Sequence, residues 1–260
     1  MKTSVLGYQG DVFLLDWAAS AGLNFSRLLI GSVCIFESSN EAKLRTEDVE
    51  WLEARGYRRV FEGFYIPADA ASGGRHTMVR ALFTSLPPAD YLATIEKTKN
   101  VGCYEFLFGE AQSNLLDEPR TRVLDVGCGP GTLMDSSVTK QASIVVGFDF
   151  IEASLSAARN RGLEALDEVA LGRLRPGTFD VLLSCYVLHY ESLTPSNFEL
   201  VLRLLRVGGV WAANFHKGRG VKWFLDCIDA TKMFDVVEGL SPFGTVLFVR
   251  KRSKPAGSEL

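Results

Sequence analysis

The sequence lacks the features that mark several large classes of protein. Its five cysteines include no C-x-x-C pair, which argues against a zinc site and against a disulfide framework. No apolar run is long enough to cross a membrane, and the first residues contain no apolar core of a secretory signal. The formal net charge of −3 provides no basic field that would recruit nucleic acid or an acidic membrane. We therefore expect a soluble cytoplasmic protein with neither kind of partner.

The pattern of the 260-residue chain changes near its middle. From about Thr121 onward, short apolar runs alternate with amphipathic segments, which is typical of a parallel α/β sheet. The last two apolar runs flank a Gly/Pro turn and predict a hairpin. The predicted strands cover 123–126, 144–148, 163–166, 179–184, 210–214, 234–238 and 246–250, and the predicted helices cover 151–160, 197–206 and 222–231.

The first 115 residues do not show this alternation. The predicted elements are helices over 11–20 and from Thr46 to Arg55, an apolar stretch over 25–36, strands over 59–66 and 76–83, and a helix over 104–116. A helix followed by two strands suggests a winged-helix-like module. We therefore expect a mainly helical module over 1–115 that serves as a lid or a dimerisation surface, a ligand-binding α/β domain over 116–252, and a flexible tail over 253–260.

The densest cluster of glycines lies in the stretch RVLDVGCGPGTLM, from Arg122 to Met134. A predicted strand ends at Asp125, and Gly127, Gly129 and Gly131 follow it directly before a helix would begin. Bare backbone allows a ligand to approach closely, and the free N–H groups there favour negative charge. Dinucleotide-binding enzymes require G-x-G-x-x-G, but Thr132 stands where the third glycine of that pattern belongs.

The stretch resembles motif I of the class I S-adenosylmethionine-dependent methyltransferases, and the resemblance extends over about Thr121 to Arg250. In that family an acid at the end of the second strand holds both ribose hydroxyls, and Asp149 stands in this place, 22 residues after Gly127. The family often places a further acid near the adenine amine, which points to Asp167. The resemblance implies S-adenosylmethionine as cofactor and a Rossmann-like seven-stranded sheet, parallel except for one antiparallel strand.

Further cofactor contacts are predicted around these residues, and each has a plain structural alternative. Phe150 could pack on the adenine or in the core, and Tyr104 could close over the methyl end or pack a helix on the sheet. Asp167 could instead be a solvated loop acid. The full predicted cofactor-binding set is Tyr104, Asp125, Gly127, Cys128, Gly129, Gly131, Asp149, Phe150, Asp167 and Ser184, in which Cys128 could also be only a small filler.

Methyl transfer needs an acceptor lone pair aligned behind the methyl group, exclusion of water and, for some acceptors, removal of a proton. Candidates for these tasks are expected at the carboxyl ends of the strands. His189 and Tyr190 follow the fourth strand and His216 follows the fifth, and these three are the predicted catalytic residues. His189 could instead be a packing residue and His216 part of a solvated loop. No convincing metal cluster is present, so we expect metal-independent transfer.

The chemical class of the methyl acceptor is narrowed mainly by the motifs of DNA methylation that are absent after the fourth predicted strand. The sequence there reads SCYVLHY and contains neither an N-P-P-Y-like nor a P-C-Q-like motif of DNA methylation. The first half is rich in aromatic residues, as in some natural-product methyltransferases that carry such an extension. We therefore expect a small-molecule acceptor and a homodimer formed through this half. A peptide, protein or RNA substrate, and a non-catalytic binding or regulatory module, remain alternatives.

Overall fold

The computed structural model describes residues 97–115, 121–229 and 233–253, and in the first 96 residues four strands and scattered helical positions. Its contacts divide the chain into two units, Met1–Ser85 and Leu86–Leu260. The predicted division after residue 115 differs from this one because the helix Lys97–Ser113 belongs to the second unit. No helix in these described parts is long and apolar enough to span a membrane.

The first unit contains an antiparallel sheet that the sequence analysis did not foresee. Its strands are β1 (Phe25–Ile30), β2 (Val33–Ser38), β3 (Tyr57–Phe61) and β4 (Phe64–Pro67), in the order β1-β2-β4-β3. The apolar stretch over 25–36 therefore supplies one strand and most of another. In the sequence Gly31-Ser32 stands between them, a pair typical of short hairpin connections.

Two further predictions for the first unit have different outcomes. Thr46 and Glu50 are helical, as the predicted helix start requires. His76, Arg80 and Phe83 are also helical, so the prediction of a strand over 76–83 is wrong. The segment HTMVRALF contains Met, Arg, Ala and Leu, which have high helix propensity, and it shows no strict alternation of polar and apolar residues. The predicted helix over 11–20 lies outside the described residues.

The second unit is built on a seven-stranded sheet with the order β10-β11-β9-β8-β5-β6-β7. Its strands are β5 (Arg122–Val126), β6 (Ile144–Phe148), β7 (Glu164–Leu166), β8 (Phe179–Ser184), β9 (Leu205–Phe215), β10 (Phe234–Ser241) and β11 (Gly244–Lys251). Strands β5 to β9 pair in parallel, whereas β11 is antiparallel to both β9 and β10. The predicted fold class, a Rossmann-like sheet with one antiparallel strand, is confirmed.

The helices of this unit follow the strands in alternation. They are α1 (Lys97–Ser113), α2 (Val138–Gln141), α3 (Glu152–Asn160), α4 (Glu168–Gly172), α5 (Pro195–Leu204) and α6 (Val221–Asp229). Helix α5 ends at Leu204, and β9 begins at Leu205 instead of at 210 as predicted. Gly208-Gly209 lies between the predicted helix 197–206 and the predicted strand 210–214, but the strand runs through both glycines with an irregular register and a positive φ at Gly208.

Both faces of the sheet are covered because successive residues of its strands point to opposite sides. On β9, Val210 and Ala212 belong to the cluster that includes α1, while Trp211 lies on the other face against Phe198 of α5 and Phe224 of α6. The strands of this core are therefore apolar on both sides, as in other parallel sheets. Polar side chains can concentrate only at the strand ends, and the carboxyl ends of β5, β6, β8 and β9 meet at one edge.

Candidate cofactor and acceptor site

The glycine loop begins where β5 ends, and its three glycines have left-handed backbone conformations. The φ angles are +79° at Gly127, +50° at Gly129 and +81° at Gly131, values that L side chains rarely adopt. A Cβ at Gly127 would lie 2.5 Å from Cγ1 of Val187, and one at Gly131 would lie 3.1 Å from Cα of Ala158. Glycine at 127 and 131 thus also lets the loop after β8 and helix α3 pack closely against this turn.

Asp149 connects the end of β6 to the glycine loop. Its Oδ2 accepts a hydrogen bond from the Gly129 N–H at 2.9 Å, and its Oδ1 accepts one from the Ile151 N–H at 2.9 Å. Burial raises the pKa of this carboxyl, and the backbone hydrogen bonds oppose that rise. A carboxylate offers about four lone-pair sites, so the group retains capacity for a further donor beside its backbone partners. The geometry is suited to receiving hydroxyl groups.

Asp125 is completely buried near the end of strand β5, and a tyrosine from α1 forms a hydrogen bond with it. The Tyr104 hydroxyl donates to the carboxylate, with oxygen–oxygen distances of 3.0 Å and 3.2 Å to Oδ2 and Oδ1. The pKa of Asp125 is raised to about 8. Burial is the largest cause and the charge of Asp149 adds to it, while the hydrogen bond from Tyr104 acts in the opposite direction. Burial and the nearby Asp125 also raise the pKa of the Tyr104 hydroxyl.

Burial raises the pKa of both carboxyls, and the charge of Asp149 also raises that of Asp125. The pair favours a cationic ligand, because a positive charge stabilises the ionised form of both. S-adenosylmethionine has an ammonium group, a sulfonium centre and a ribose diol. The acidic pair and the spare acceptor capacity of Asp149 fit these groups chemically. Asp125, Asp149 and the three loop glycines are therefore brought together as the sequence predicted, although their roles in binding a ligand stay predictions.

The other predicted cofactor residues lie in different surroundings. Asp167 is exposed after β7 and caps α4 by accepting a hydrogen bond from the Ala170 N–H at 2.7 Å. Phe150 directly follows Asp149 and is partly buried. Cys128 is buried with Leu155 and Leu163 under the loop, where burial raises the pKa of its thiol. This position suits the alternative of a small filler.

Ser184 lies at the end of β8 and is fully buried. Its hydroxyl accepts a hydrogen bond from Nε1 of Trp211 on β9 at 3.0 Å. Trp211 is itself among the largest fully buried side chains of the core. The Ser184 hydroxyl is thus engaged with the core, and a contact with the cofactor stays a prediction.

The two histidines predicted as catalytic residues lie next to each other. His189 is in the short helical turn Leu188–Tyr190 after β8, and His216 begins the turn His216–Gly218 after β9. Their ring centroids are 6.1 Å apart, and the rings meet edge to face. Burial lowers the pKa of His189 to about 4, with further lowering from His216 and Arg219. His189 is therefore neutral at pH 7 and only weakly basic.

The structure gives less information on the third predicted catalytic residue, Tyr190, and on the expected absence of a metal. Tyr190 ends the turn Leu188–Tyr190, next to His189. Among the residues that the structure describes, no three of the His, Cys, Asp and Glu side chains cluster in a way that could hold a metal ion. Metal-independent transfer stays a prediction.

Asn214, next to the predicted catalytic His216 in the sequence but outside the predicted site residues, is a buried polar residue at the edge where the strand ends meet. It is fully buried near the end of β9. Its Oδ1 accepts a hydrogen bond from the Tyr186 N–H at 2.7 Å, and its Nδ2 donates one to the Phe243 carbonyl at 3.0 Å. The signal was present in the sequence as one amide at the end of the apolar run VWAANF, because a polar residue in such a strand needs partners.

Comparisons with known proteins agree with this geometry. A family model for a methyltransferase domain matches residues 117–219. Ubiquinone biosynthesis O-methyltransferase of Paracidovorax citrulli is 33% identical over 133 residues, which are 48% of this chain and 54% of that protein. Trans-aconitate 2-methyltransferase of Mycolicibacterium gilvum is 34% identical over 103 residues, which are 39% of this chain and 36% of that protein. The chain spans about half the length, or less, of these relatives.

A solved structure shares the fold. It is that of a protein from Methanococcus maripaludis named as a candidate S-adenosylmethionine-dependent methyltransferase, and the TM-score is 0.52 at 15% identity. The similarity covers 66% of this chain and 96% of that one. Residues 117–219 of the chain therefore match the methyltransferase-domain family, and the seven-stranded sheet to which they belong has the fold of this solved structure.

Proposed function

We propose that the protein transfers the methyl group of S-adenosylmethionine to a small organic molecule, at an oxygen, nitrogen or carbon atom. The observation that carries the proposal is the buried acidic pair Asp125 and Asp149, which flanks a left-handed glycine loop at the strand ends. Relatives named for ubiquinone biosynthesis and for trans-aconitate support a small acceptor.

Different residues of the chain would bind different parts of the cofactor. When bound, S-adenosylmethionine supplies a methyl group activated by the sulfonium charge. Asp149 would accept the ribose hydroxyls while its two backbone hydrogen bonds keep it in place. Asp125 would provide negative charge for the cationic amino-acid end, oriented by Tyr104. Burial strengthens these charge interactions by excluding water.

The acceptor would lie against the loops after β8 and β9, which carry His189 and His216. A base with a pKa of about 4 removes a proton from a hydroxyl group poorly, because its affinity for the proton is low. We therefore expect alignment of the acceptor, more than proton removal by His189, to produce most of the rate enhancement. Alignment alone can lower a barrier by several kcal/mol.

Two measurements in sequence test the proposal. Isothermal titration calorimetry with S-adenosylmethionine and S-adenosylhomocysteine should show one site that is weakened in Asp149→Ala. A screen for release of S-adenosylhomocysteine should then find turnover with phenols, catechols or small carboxylic acids. Turnover only with peptides or RNA would replace the small acceptor with a macromolecule. Cofactor binding without turnover on any class would indicate a binding or regulatory module.

Two predictions about the whole protein belong to the same proposal. A homodimer formed through the first unit would give twice the monomer mass in light scattering, and a variant lacking residues 1–85 would run as a monomer. A cytoplasmic location would place the protein in the soluble fraction after cell breakage. The opposite result in either assay would remove that part of the proposal and leave the methyl transfer untouched.

A further inference from the structure

Three chain segments meet at the carboxyl ends of β8 and β9, and Asn214 stands between them. The first is the loop 185–190 after β8, the second is the loop 216–220 after β9, and the third is the turn between β10 and β11. Asn214 binds the first through the Tyr186 N–H and the third through the Phe243 carbonyl. Both contacts use a single amide that is completely buried.

The residue that Asn214 holds has an unusual backbone conformation. Tyr186 has a φ of +57°, although it is not glycine. For a bulky residue this conformation is strained and persists only where the surroundings compensate. The hydrogen bond from its N–H to Asn214 is such a compensation. Without it, the chain after β8 would be free to relax toward an ordinary conformation.

The conformation at Tyr186 determines what the following residues contact. Val187 lies so close to Gly127 that a Cβ added to Gly127 would clash with it. The Tyr186 ring centroid is 6.4 Å from that of His216. A Cβ at Gly220 would lie 2.6 Å from the Leu188 carbonyl oxygen. The loop after β8 is therefore packed against both the glycine loop and the loop after β9.

The turn between β10 and β11 is also packed closely against its neighbours. A Cβ at Gly244 would lie 2.7 Å from the Phe215 carbonyl oxygen, so the turn before β11 approaches the end of β9 backbone to backbone. Within the turn, the Ser241 hydroxyl accepts a hydrogen bond from the Phe243 N–H. The Phe243 ring packs against Phe106 of α1 at 5.8 Å. The Phe243 carbonyl is thus a fixed point to which Asn214 can anchor the loop after β8.

From these contacts we infer that Asn214 is a positioning residue for the acceptor. Its side-chain amide fixes the loop 185–190 against the turn at Phe243 and so sets the wall against which the methyl acceptor is aligned. The inference rests on the proposed function for the identity of the ligand. Its physical basis is the link that one buried amide makes between a strained backbone segment and a rigid turn.

The test compares Asn214→Ala with a matched control. Trp211→Phe removes the buried hydrogen bond from Trp211 on β9 to Ser184 on β8 and leaves the contacts of the loop 185–190 in place. In Asn214→Ala we expect kcat/KM for the acceptor to fall at least about 30-fold, because a small misplacement of the acceptor can cost about 100-fold. The Kd for S-adenosylmethionine should stay within about threefold, while Trp211→Phe should lower the Tm and leave kcat/KM within about threefold.

Hydrogen exchange provides a readout that needs no turnover. In Asn214→Ala the peptide covering 185–190 should exchange at least about tenfold faster, with peptides from β5 and β6 unchanged. Asn214→Ser serves as the second variant if Asn214→Ala does not fold. A wild-type protein without turnover on any acceptor would refute the proposed function, and the exchange result would still decide the role of Asn214.

Three results would overturn the inference. One is unchanged exchange of residues 185–190 in the folded Asn214 variant. Another is a loss of cofactor affinity as large as the loss of kcat/KM. The last is an equal loss of kcat/KM in Trp211→Phe at the same Tm, which would assign the effect to general destabilisation.

Discussion

Replacing Asp125 by asparagine should stabilise the ligand-free protein at pH 8 and weaken cofactor binding. The folded carboxyl has a pKa of about 8, whereas its ordinary value is 3.8. Because the folded state holds this proton more tightly, the free energy of unfolding falls as the pH rises from about 4 to about 8. The loss is about 1.4 kcal/mol per unit and on the order of 5 kcal/mol in total.

Asparagine removes this loss because it does not ionise. Its Oδ1 can still accept the Tyr104 hydrogen bond, but its NH₂ group becomes a buried donor that costs about 1–2 kcal/mol. The net gain at pH 8 is therefore about 3 kcal/mol, which for a unit of this size raises the Tm by about 6–12 °C. At pH 4, where the wild-type carboxyl is protonated in the folded state, the variant should have no advantage.

Differential scanning calorimetry of both proteins at pH 4, 6 and 8, without ligand, measures this difference. The raised pKa of Asp149 is common to both proteins and largely cancels in the comparison. Titration with S-adenosylmethionine should show the opposite order, with affinity at least about tenfold lower in the variant because a charge partner is lost. A variant that is less stable than wild type at pH 8, or a Tm difference that does not change with pH, would refute the reasoning.

Three further predictions concern single residues of the site. Asp149→Ala should weaken binding of S-adenosylmethionine by on the order of 2–3 kcal/mol in calorimetry, since the ribose acceptors are lost; unchanged affinity would show that the diol binds elsewhere. Gly127→Ala should lower the free energy of unfolding by more than about 2 kcal/mol because of its positive φ and the 2.5 Å approach to Val187. The matched Gly109→Ala in α1, with nothing within 4 Å of its Cβ, should raise it by up to about 1 kcal/mol, and equal denaturation midpoints would contradict both. His189→Gln should make the protein more acid-stable, because wild type loses stability as the pH falls from 6.5 to about 4 and the buried ring must be charged; thermal melts that differ equally at pH 8 and pH 4.5 would contradict that cause.

The second unit could be predicted closely because its local patterns and its global fold agree. The strands Ile144–Phe148 and Phe179–Ser184 are continuous apolar runs with clear ends, as expected for strands buried on both faces. The helix that ends at Asn160 is followed by Gly162 with a φ of +89°, a residue well suited to a helix end. Asp149 was identified through the family resemblance, in which an acid ends the second strand, and the structure places it there, directly after β6.

Other features depend on contacts between residues far apart in the sequence. The pair Gly208-Gly209 looks like a turn, but a Cβ at Gly209 would come 2.8 Å from the Asp180 carbonyl oxygen of β8, an approach of the neighbouring strand that local sequence does not show. The same is true of Asn214, whose partners are 28 and 29 residues away. In the first unit, local periodicity did not distinguish the helical positions His76, Arg80 and Phe83 from a strand.

The close approach of Val187 to Gly127 has a consequence for how this glycine varies among related chains. The constraint at position 127 comes in part from the neighbouring loop, so the two positions should change together during evolution. A chain with alanine or glycine in place of Val187 would tolerate asparagine at position 127, since asparagine adopts positive φ more readily than other side chains. Absence of the first glycine in such a chain would therefore be no sign that its cofactor had been lost.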